Sequence, residues 1–118
     1  MAKLNNIYKI NGNIVEILVE GNEIEGAELL EPQNEGEFSP KHLPIIEKNG
    51  NKVTVNVGEI PHPMEEEHHI CFVELIVGDK IYKKTLNAGG EPKAEFEIDD
   101  EGELKAREYC NIHGLWES

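Results

Sequence analysis

Apolar and polar residues alternate along several short stretches of the chain, a period of two that is typical of half-buried β-strands. The clearest case is Val53, Val55 and Val57, which are separated by polar residues. Other predicted strands cover residues 14–20, 27–30, 70–77, 80–86, 94–98 and 104–110. No stretch shows a convincing helical period. The pattern therefore predicts an all-β protein.

Turn-forming residues separate these stretches. The pair Gly78-Asp79 predicts a two-residue hairpin between residues 70–77 and 80–86. The acidic turn at residues 99–102 predicts a second hairpin, which joins 94–98 to 104–110, and Asn-Gly-Asn at 11–13 leads into the first strand. Short antiparallel strands with turns at regular intervals indicate a β-sandwich.

The composition narrows the class of protein. A chain of 118 residues predicts one domain with at most a small appendage. Asp and Glu number 24 against 11 Lys and Arg, a formal net charge of −13, which argues against nucleic acid or an anionic membrane as a partner. The first ten residues lack the apolar core of a signal peptide, so we expect a reducing, cytoplasmic location in which Cys110 stays a thiol or thiolate.

Candidate chemistry is concentrated in the stretch Glu-Tyr-Cys-Asn-Ile-His-Gly-Leu-Trp at residues 108–116. Cys110 and His113 form a Cys-x-x-His turn closed by Gly114, a spacing that lets a thiolate and an imidazole face one metal ion. The same turn can direct the backbone N–H groups of Ile112 and His113 at the sulfur. One Cys and one His are half a ligand set, so the other ligands must come from elsewhere.

The remaining histidines lie in two loops. His42 is in Pro-Lys-His-Leu-Pro, and His62 is flanked by prolines that exclude it from a central strand and stiffen its loop. His68 and His69 are adjacent at the start of a predicted strand, where neighbouring side chains point to opposite faces. One of the two is therefore expected to face the site, and the other to be packed or to face solvent.

Three segments of the chain resemble a known family. Lys-His-Leu-Pro-Ile-Ile at 41–46, His-Pro-Met-Glu-Glu-Glu-His-His-Ile at 62–70 and the segment at 108–116 are similar, in order and spacing, to the signature segments of superoxide reductases of the desulfoferrodoxin/neelaredoxin family. Residues 7–17 also resemble the N-terminal part of desulfoferrodoxins, which often carries a four-cysteine iron site. Cys71 is the first cysteine of this chain, so that site cannot form here.

The resemblance implies a fold, a site and a reaction. It implies an immunoglobulin-like antiparallel β-sandwich at residues 38–118, preceded at residues 1–37 by a desulforedoxin-like remnant without metal ligands. It implies one iron ion that reduces superoxide to hydrogen peroxide, an external electron donor such as rubredoxin, and a homodimer or larger homo-oligomer. It also selects His68 over His69. The implied ligands are four histidines in a plane and one axial thiolate: His42, His62, His68, His113 and Cys110.

Lys41 and its neighbour Pro40 extend this picture. In the family the lysine before the first ligand lies on a mobile loop, where it attracts superoxide and orders water, so the resemblance implies a catalytic role for Lys41. Most relatives have a glutamate directly before that lysine, which can occupy the sixth position of the oxidised iron. Pro40 has no ligating group, and it predicts a stiffer loop with an extended Ser39.

Two other readings of the same residues stay open at this stage. Cys110 and His113 with two more histidines would also make a closed structural zinc site. A copper electron-transfer centre is the third reading, because a His/Cys set in a β-sandwich also suits copper. Cys71 is predicted to be a small buried apolar residue, and a Cys71–Cys110 disulfide would compete with metal binding.

Overall fold

Strands make up nearly all the regular secondary structure of the chain, which the computed structural model describes from residue 1 to residue 118. In chain order the elements are β1 (Ile7–Ile10), β2 (Asn13–Glu16), β3 (Glu28–Leu30), α1 (Ser39–His42), β4 (Pro44–Asn49), β5 (Lys52–Val57), β6 (Ile70–Val77), β7 (Lys80–Thr85), β8 (Lys93–Glu97), β9 (Leu104–Cys110) and β10 (Gly114–Glu117). No helix is long and apolar enough to span a membrane. The chain divides into two compact units, Met1–Glu31 and Pro32–Ser118.

The first unit is a three-stranded antiparallel sheet in the order β2-β1-β3. Asn11 and Gly12 both have positive φ, 50° and 77°, which is the geometry of a tight hairpin turn between β1 and β2. The predicted strand at 14–20 is too long, because β2 ends at Glu16. Leu18 and Val19 lie beyond it and are 76% and 81% exposed. The apolar run in the sequence therefore extends beyond the residues that pair as strand β2.

The second unit is a sandwich of two antiparallel sheets, in the orders β10-β9-β6-β7 and β4-β5-β8. Alternate residues of both sheets point inward and form one apolar core. Its fully or nearly buried members are Val53, Val55, Val57, Ile70, Val73, Leu75, Val77, Ala94, Phe96, Ile98, Ala106 and Cys110. The predicted all-β class, an immunoglobulin-like antiparallel β-sandwich with a small N-terminal extension, is confirmed.

One predicted hairpin is correct and the other is wrong. β6 and β7 pair through Val77 and Lys80, as Gly78-Asp79 predicted. β8 and β9 do not pair with each other, since β8 lies beside β5 and β9 lies between β6 and β10. The segment between them passes from one sheet to the other, and its Asp100 accepts hydrogen bonds from Lys80 and Tyr82 of β7. Alternation marks a strand with one buried face but does not reveal its partner.

The single helical turn, α1, was not predicted. Ser39 is its first residue rather than an extended one, so that expectation was wrong, and Pro40 occupies the first turn, where no backbone donor is needed. The amide of Leu43 closes the turn by donating to the Ser39 carbonyl at 3.0 Å. α1 thereby fixes Lys41 and His42 directly before β4.

Candidate metal centre

Five donor side chains converge at one end of the sandwich. The ligand atoms of His42, His62, His68, Cys110 and His113 all lie within 4.8 Å of one another. They come from α1, from the loop between β5 and β6, from the end of β9 and from the turn before β10. These are the five ligands that the family resemblance implied, and His69 is not among them. Distant segments have thus been folded onto one point.

The four imidazoles form a closed ring of edge-to-face neighbours. The centroid of His42 lies 4.5 Å from that of His62, and His62 lies 4.7 Å from His68. The ring closes through His113, which is 5.1 Å from His68 and 4.9 Å from His42. The planes of neighbouring rings meet at 69° to 86°. Each imidazole therefore contacts two others around one small shared space.

Hydrogen bonds determine which nitrogen of two rings faces this space. His42 Nδ1 lies 2.7 Å from the carbonyl oxygen of Phe38, and His62 Nδ1 lies 2.6 Å from that of Pro63. A carbonyl oxygen can only accept, so Nδ1 carries the proton in each neutral ring and Nε2 carries a lone pair. The two Nε2 atoms are 3.0 Å apart. Two facing lone pairs repel each other unless a cation lies beside them.

The electrostatic environment keeps these rings neutral. Burial lowers the pKa of His62 to about 4, and the neighbouring imidazoles add to the effect although the bond to Pro63 opposes it. Burial likewise lowers the pKa of His42 and of His113. A neutral imidazole is the form that binds a metal ion. The lowered pKa values therefore favour the neutral form of these rings, which is the form that a metal ligand needs.

His68 provides a direct test of whether the residues fit a metal. Its Nε2 is buried and has no hydrogen-bond partner, a costly state for a polar atom that a metal bond would relieve. Asn111 holds the loop that carries it, because its side chain accepts from the His69 amide and donates to the Glu67 carbonyl, both at 3.0 Å. The convergent donors, the facing lone pairs and this orphaned nitrogen all fit a bound cation.

Cys110 supplies the sulfur of the cluster from the buried end of β9. Its Sγ lies 3.5 Å from His62 Nε2 and 3.9 Å from His113 Nδ1. The His113 amide donates to Sγ at 3.3 Å, as the Cys-x-x-His turn predicted. Burial raises the pKa of the Cys110 thiol, and the amides of His113 and Ile112 oppose that rise. A cation in the shared space would favour the thiolate further.

Two aromatic side chains hold imidazole rings from outside the cluster. Trp116 stacks on His42 with centroids 4.9 Å apart, and its indole N–H donates to the His113 carbonyl at 3.2 Å. Phe38 stacks on His113 at 4.2 Å although it is 46% exposed. Trp116 is the last residue of the 108–116 segment in which the candidate chemistry of the sequence is concentrated. Phe38 was missed, because an isolated aromatic residue in an acidic segment gives no sequence signal.

The cluster has a closed side and an open side. The four imidazoles line a cleft of about 480 Å³, together with Glu37, Phe38, Pro40, Lys41, Ile60 and Pro63. Cys110 does not line this cleft, and its residue is fully buried. The Cys110 sulfur therefore lies on the core side of the four imidazoles, and the cleft lies on their solvent side. Lys41 borders the cleft.

Two other ionisable groups lie close to Cys110. Cys71 is a free, half-buried cysteine at an irregularity in the pairing of β6 with β9, and burial raises the pKa of its thiol. Cys110 is also free. Glu108 is fully buried opposite Val73, and the loss of solvent raises its pKa to about 9. Glu108 is thus neutral at pH 7, which is the state that an apolar core tolerates.

Comparison with known proteins agrees with this arrangement. Residues 34–118 match the sequence model of the family described as Desulfoferrodoxin. The chain is 44% identical over 123 residues to a desulfoferrodoxin homolog of Methanothermobacter thermautotrophicus, which covers 98% of this chain and 99% of that protein. It is 42% identical over 96 residues to a superoxide reductase of Thermococcus kodakarensis, a match that covers 66% of this chain and 84% of the relative.

Solved structures show the same likeness. The superoxide reductase of Treponema pallidum superposes with a TM-score of 0.77 at 26% identity, over 96% of this chain and 95% of that one. The superoxide reductase of Nanoarchaeum equitans gives a TM-score of 0.53 at 38% identity, over 70% of this chain and 93% of that one. With its sandwich, its five convergent donors and these matches, the chain belongs to the desulfoferrodoxin family.

Proposed function

We propose that this protein is a superoxide reductase. It reduces superoxide by one electron to hydrogen peroxide at a mononuclear iron centre, which removes superoxide without dismutation. The electron then returns from an external donor. The proposed iron ligands are the five convergent residues: His42, His62, His68, His113 and Cys110.

One observation carries the proposal, namely that the cluster of four imidazoles has two different faces. On one face a sulfur is fully buried, and on the other face a cleft leads to solvent. A closed structural site has no use for an open position, whereas a small substrate needs one. Imidazole and thiolate donors together suit iron. Membership of a family that includes proteins named superoxide reductase gives independent support.

The reaction takes one superoxide, one electron and two protons to one hydrogen peroxide. An iron ion held by the five proposed ligands would supply that electron by passing from the ferrous to the ferric state. The chain's own residues supply the remaining conditions: neutral imidazoles offer lone pairs, and the His113 amide donates to Cys110 Sγ at 3.3 Å and holds negative charge on the sulfur. The open cleft admits water, the source of the two protons.

Lys41 is proposed to act at the open face. Lys41 borders the cleft beside His42, and an ammonium group there raises the local concentration of a small anion. The same charge strengthens hydrogen bonding to negative charge that develops during the reduction. Lys41 is therefore assigned to attract superoxide and to order the water that provides a proton.

The setting of the reaction is part of the proposal. The electron donor is a small redox protein such as rubredoxin, and the location is the reducing cytoplasm, which keeps Cys110 as a thiolate. We retain the homodimer or larger homo-oligomer, and the division into residues 1–37 and 38–118, as predictions from the family resemblance. Neither nucleic acid nor a membrane is a proposed partner, given the net charge of −13.

Metal content and a visible spectrum after mild oxidation test the proposal against zinc and copper. We expect about one iron per chain and a visible charge-transfer band from ferric iron bound to thiolate. A colourless protein with stoichiometric zinc would indicate the structural reading, and an intense blue copper spectrum would indicate electron transfer. Five donors rather than four favour iron.

A further inference from the structure

Gly58 lies in a turn that touches α1 at very short range. The turn follows β5 and is closed by the His62 amide, which donates to the Val57 carbonyl at 3.4 Å. A Cβ added at Gly58 would lie 2.7 Å from the Lys41 carbonyl oxygen and 2.4 Å from that of Ile60. Real Cβ atoms essentially never come within 3.0 Å of such atoms. The backbone contact therefore depends on the absence of a side chain.

Two backbone hydrogen bonds fasten the same turn to the α1 segment. The Gly58 amide donates to the Leu43 carbonyl at 3.0 Å, and the Ile60 amide donates to the Pro40 carbonyl at 3.0 Å. Their acceptors lie on either side of Lys41 and His42. Since all three crowding atoms, two of Lys41 and one of Ile60, belong to the backbone, rotation of a flexible side chain cannot relieve the contact.

The two fastened segments carry two of the proposed ligands. α1 ends with His42, and the turn leads within two residues of Ile60 to His62. Their Nε2 atoms are 3.0 Å apart. Any separation of the segments therefore changes the distance between these two nitrogens, and it also moves the backbone from which Lys41 extends.

We propose that Gly58 is a positioning residue of the centre, because its missing side chain lets the turn after β5 lie directly on α1 and so fixes His42, His62 and Lys41 relative to one another. The expected effect on iron binding rests on the proposed function, whereas the close fit of the turn against α1 rests on backbone geometry alone. It also makes the Lys41 segment a fixed element in this chain.

The test compares Gly58→Ala with Gly89→Ala. The two glycines have nearly equal φ, +88° and +89°, so alanine is placed at a positive φ at both positions. A Cβ at Gly89 has nothing within 4 Å, and its residue is exposed. The pair therefore separates crowding against α1 from strain. Iron affinity is measured by competition with a chelator, together with the charge-transfer spectrum and the salt dependence of the reaction with superoxide.

We expect Gly58→Ala to weaken iron binding about tenfold or more, which is the usual effect of disturbing the groups that orient metal ligands. Its charge-transfer band should shift and its salt dependence should weaken, while Gly89→Ala should keep all three properties of the parent. Equal iron affinity, spectrum and salt dependence in the two variants would overturn the inference. A parent protein without iron or thiolate band would instead contradict the proposed function.

Amide hydrogen exchange of the metal-free parent decides the geometry independently of iron and of any variant that fails to fold. The Gly58 and Ile60 amides should exchange at least about tenfold more slowly than unstructured peptide, because both are bonded to the α1 segment. Exchange of both at the unprotected rate would show that the turn does not hold α1, and would overturn the inference.

Discussion

Single atoms determine what the centre can bind. His42 and His62 each use Nδ1 on a backbone carbonyl, which leaves Nε2 for a metal ion. Cys110 is also fixed in position, because it is fully buried and its sulfur accepts a hydrogen bond from the His113 amide. In the proposed centre Cys110 is the one ligand that supplies a negative charge, so we expect the identity and reactivity of the metal to depend most strongly on it.

Replacing Cys110 by serine tests that dependence. We expect Cys110→Ser to fold but to lose both the charge-transfer band and superoxide reduction, because the thiolate is gone. Visible spectroscopy and rapid mixing with superoxide measure the two properties. Cys71→Ser is the matched control and should keep both. A Cys110→Ser protein that retained band and activity would show that Cys110 is not a ligand.

The adjacent histidines give a second residue-level prediction. His68 has an orphaned Nε2 within the cluster, whereas His69 bonds the Glu65 carbonyl at 3.0 Å outside it. His68→Ala should weaken iron binding by at least about tenfold, and His69→Ala should change it little. Chelator competition measures both affinities. Equal losses in the two variants, or a larger loss for His69→Ala, would reverse the assignment.

At the level of elements, the sequence predicted what is written locally and missed what depends on distant partners. The β6–β7 hairpin follows from two turn residues, and the donors of the centre occur in short recognisable motifs. The predicted pairing of β8 with β9 was wrong, because the alternation of apolar and polar residues is the same for a strand of either sheet. α1 has four residues, too few for a period. The ring of Phe38 stacks on that of His113, 75 residues away in the chain, a contact that no local pattern reveals.

The α1 turn carries a prediction about Pro40. Proline offers no ligating atom there, and Glu37 is the one carboxylate residue that borders the cleft. We expect azide to bind the oxidised protein readily, and Pro40→Glu to weaken azide binding through competition by the new carboxylate. Spectroscopic azide titrations compare the parent, Pro40→Glu and Glu37→Gln.

Glu37→Gln should leave azide affinity unchanged. If Glu37→Gln instead bound azide more tightly than the parent does, the native Glu37 would be shown to reach the metal. A crystal structure of the oxidised protein with any glutamate oxygen on iron would contradict the same expectation.

At the level of the whole molecule, charge opposes the reaction that the centre is proposed to perform. A net charge of −13 repels superoxide, while Lys41 provides a positive group at the cleft. At physiological ionic strength the Debye length is about 8 Å, so distant carboxylates are largely screened and near charges dominate. The local field should therefore determine the encounter.

The salt dependence of the rate distinguishes the two fields. We expect the second-order rate constant with superoxide to fall as ionic strength rises, and this dependence to disappear in Lys41→Ala. An exposed lysine away from the cleft, Lys48, gives the control Lys48→Ala, which should behave as the parent does. A rate that rises with salt in the parent would show that the global charge dominates and that Lys41 does not attract superoxide.

The products formed from superoxide by the reduced, iron-loaded protein test the central claim most directly. Reduction yields one hydrogen peroxide per superoxide, oxidises one iron for each and releases no oxygen. Dismutation instead yields one hydrogen peroxide and one oxygen for every two superoxides and leaves the iron state unchanged. We predict the first result when peroxide, oxygen and the ferric charge-transfer band are followed together after a pulse of superoxide. Oxygen release at the dismutation ratio, or no reaction of the iron-loaded protein, would contradict the assignment as a superoxide reductase.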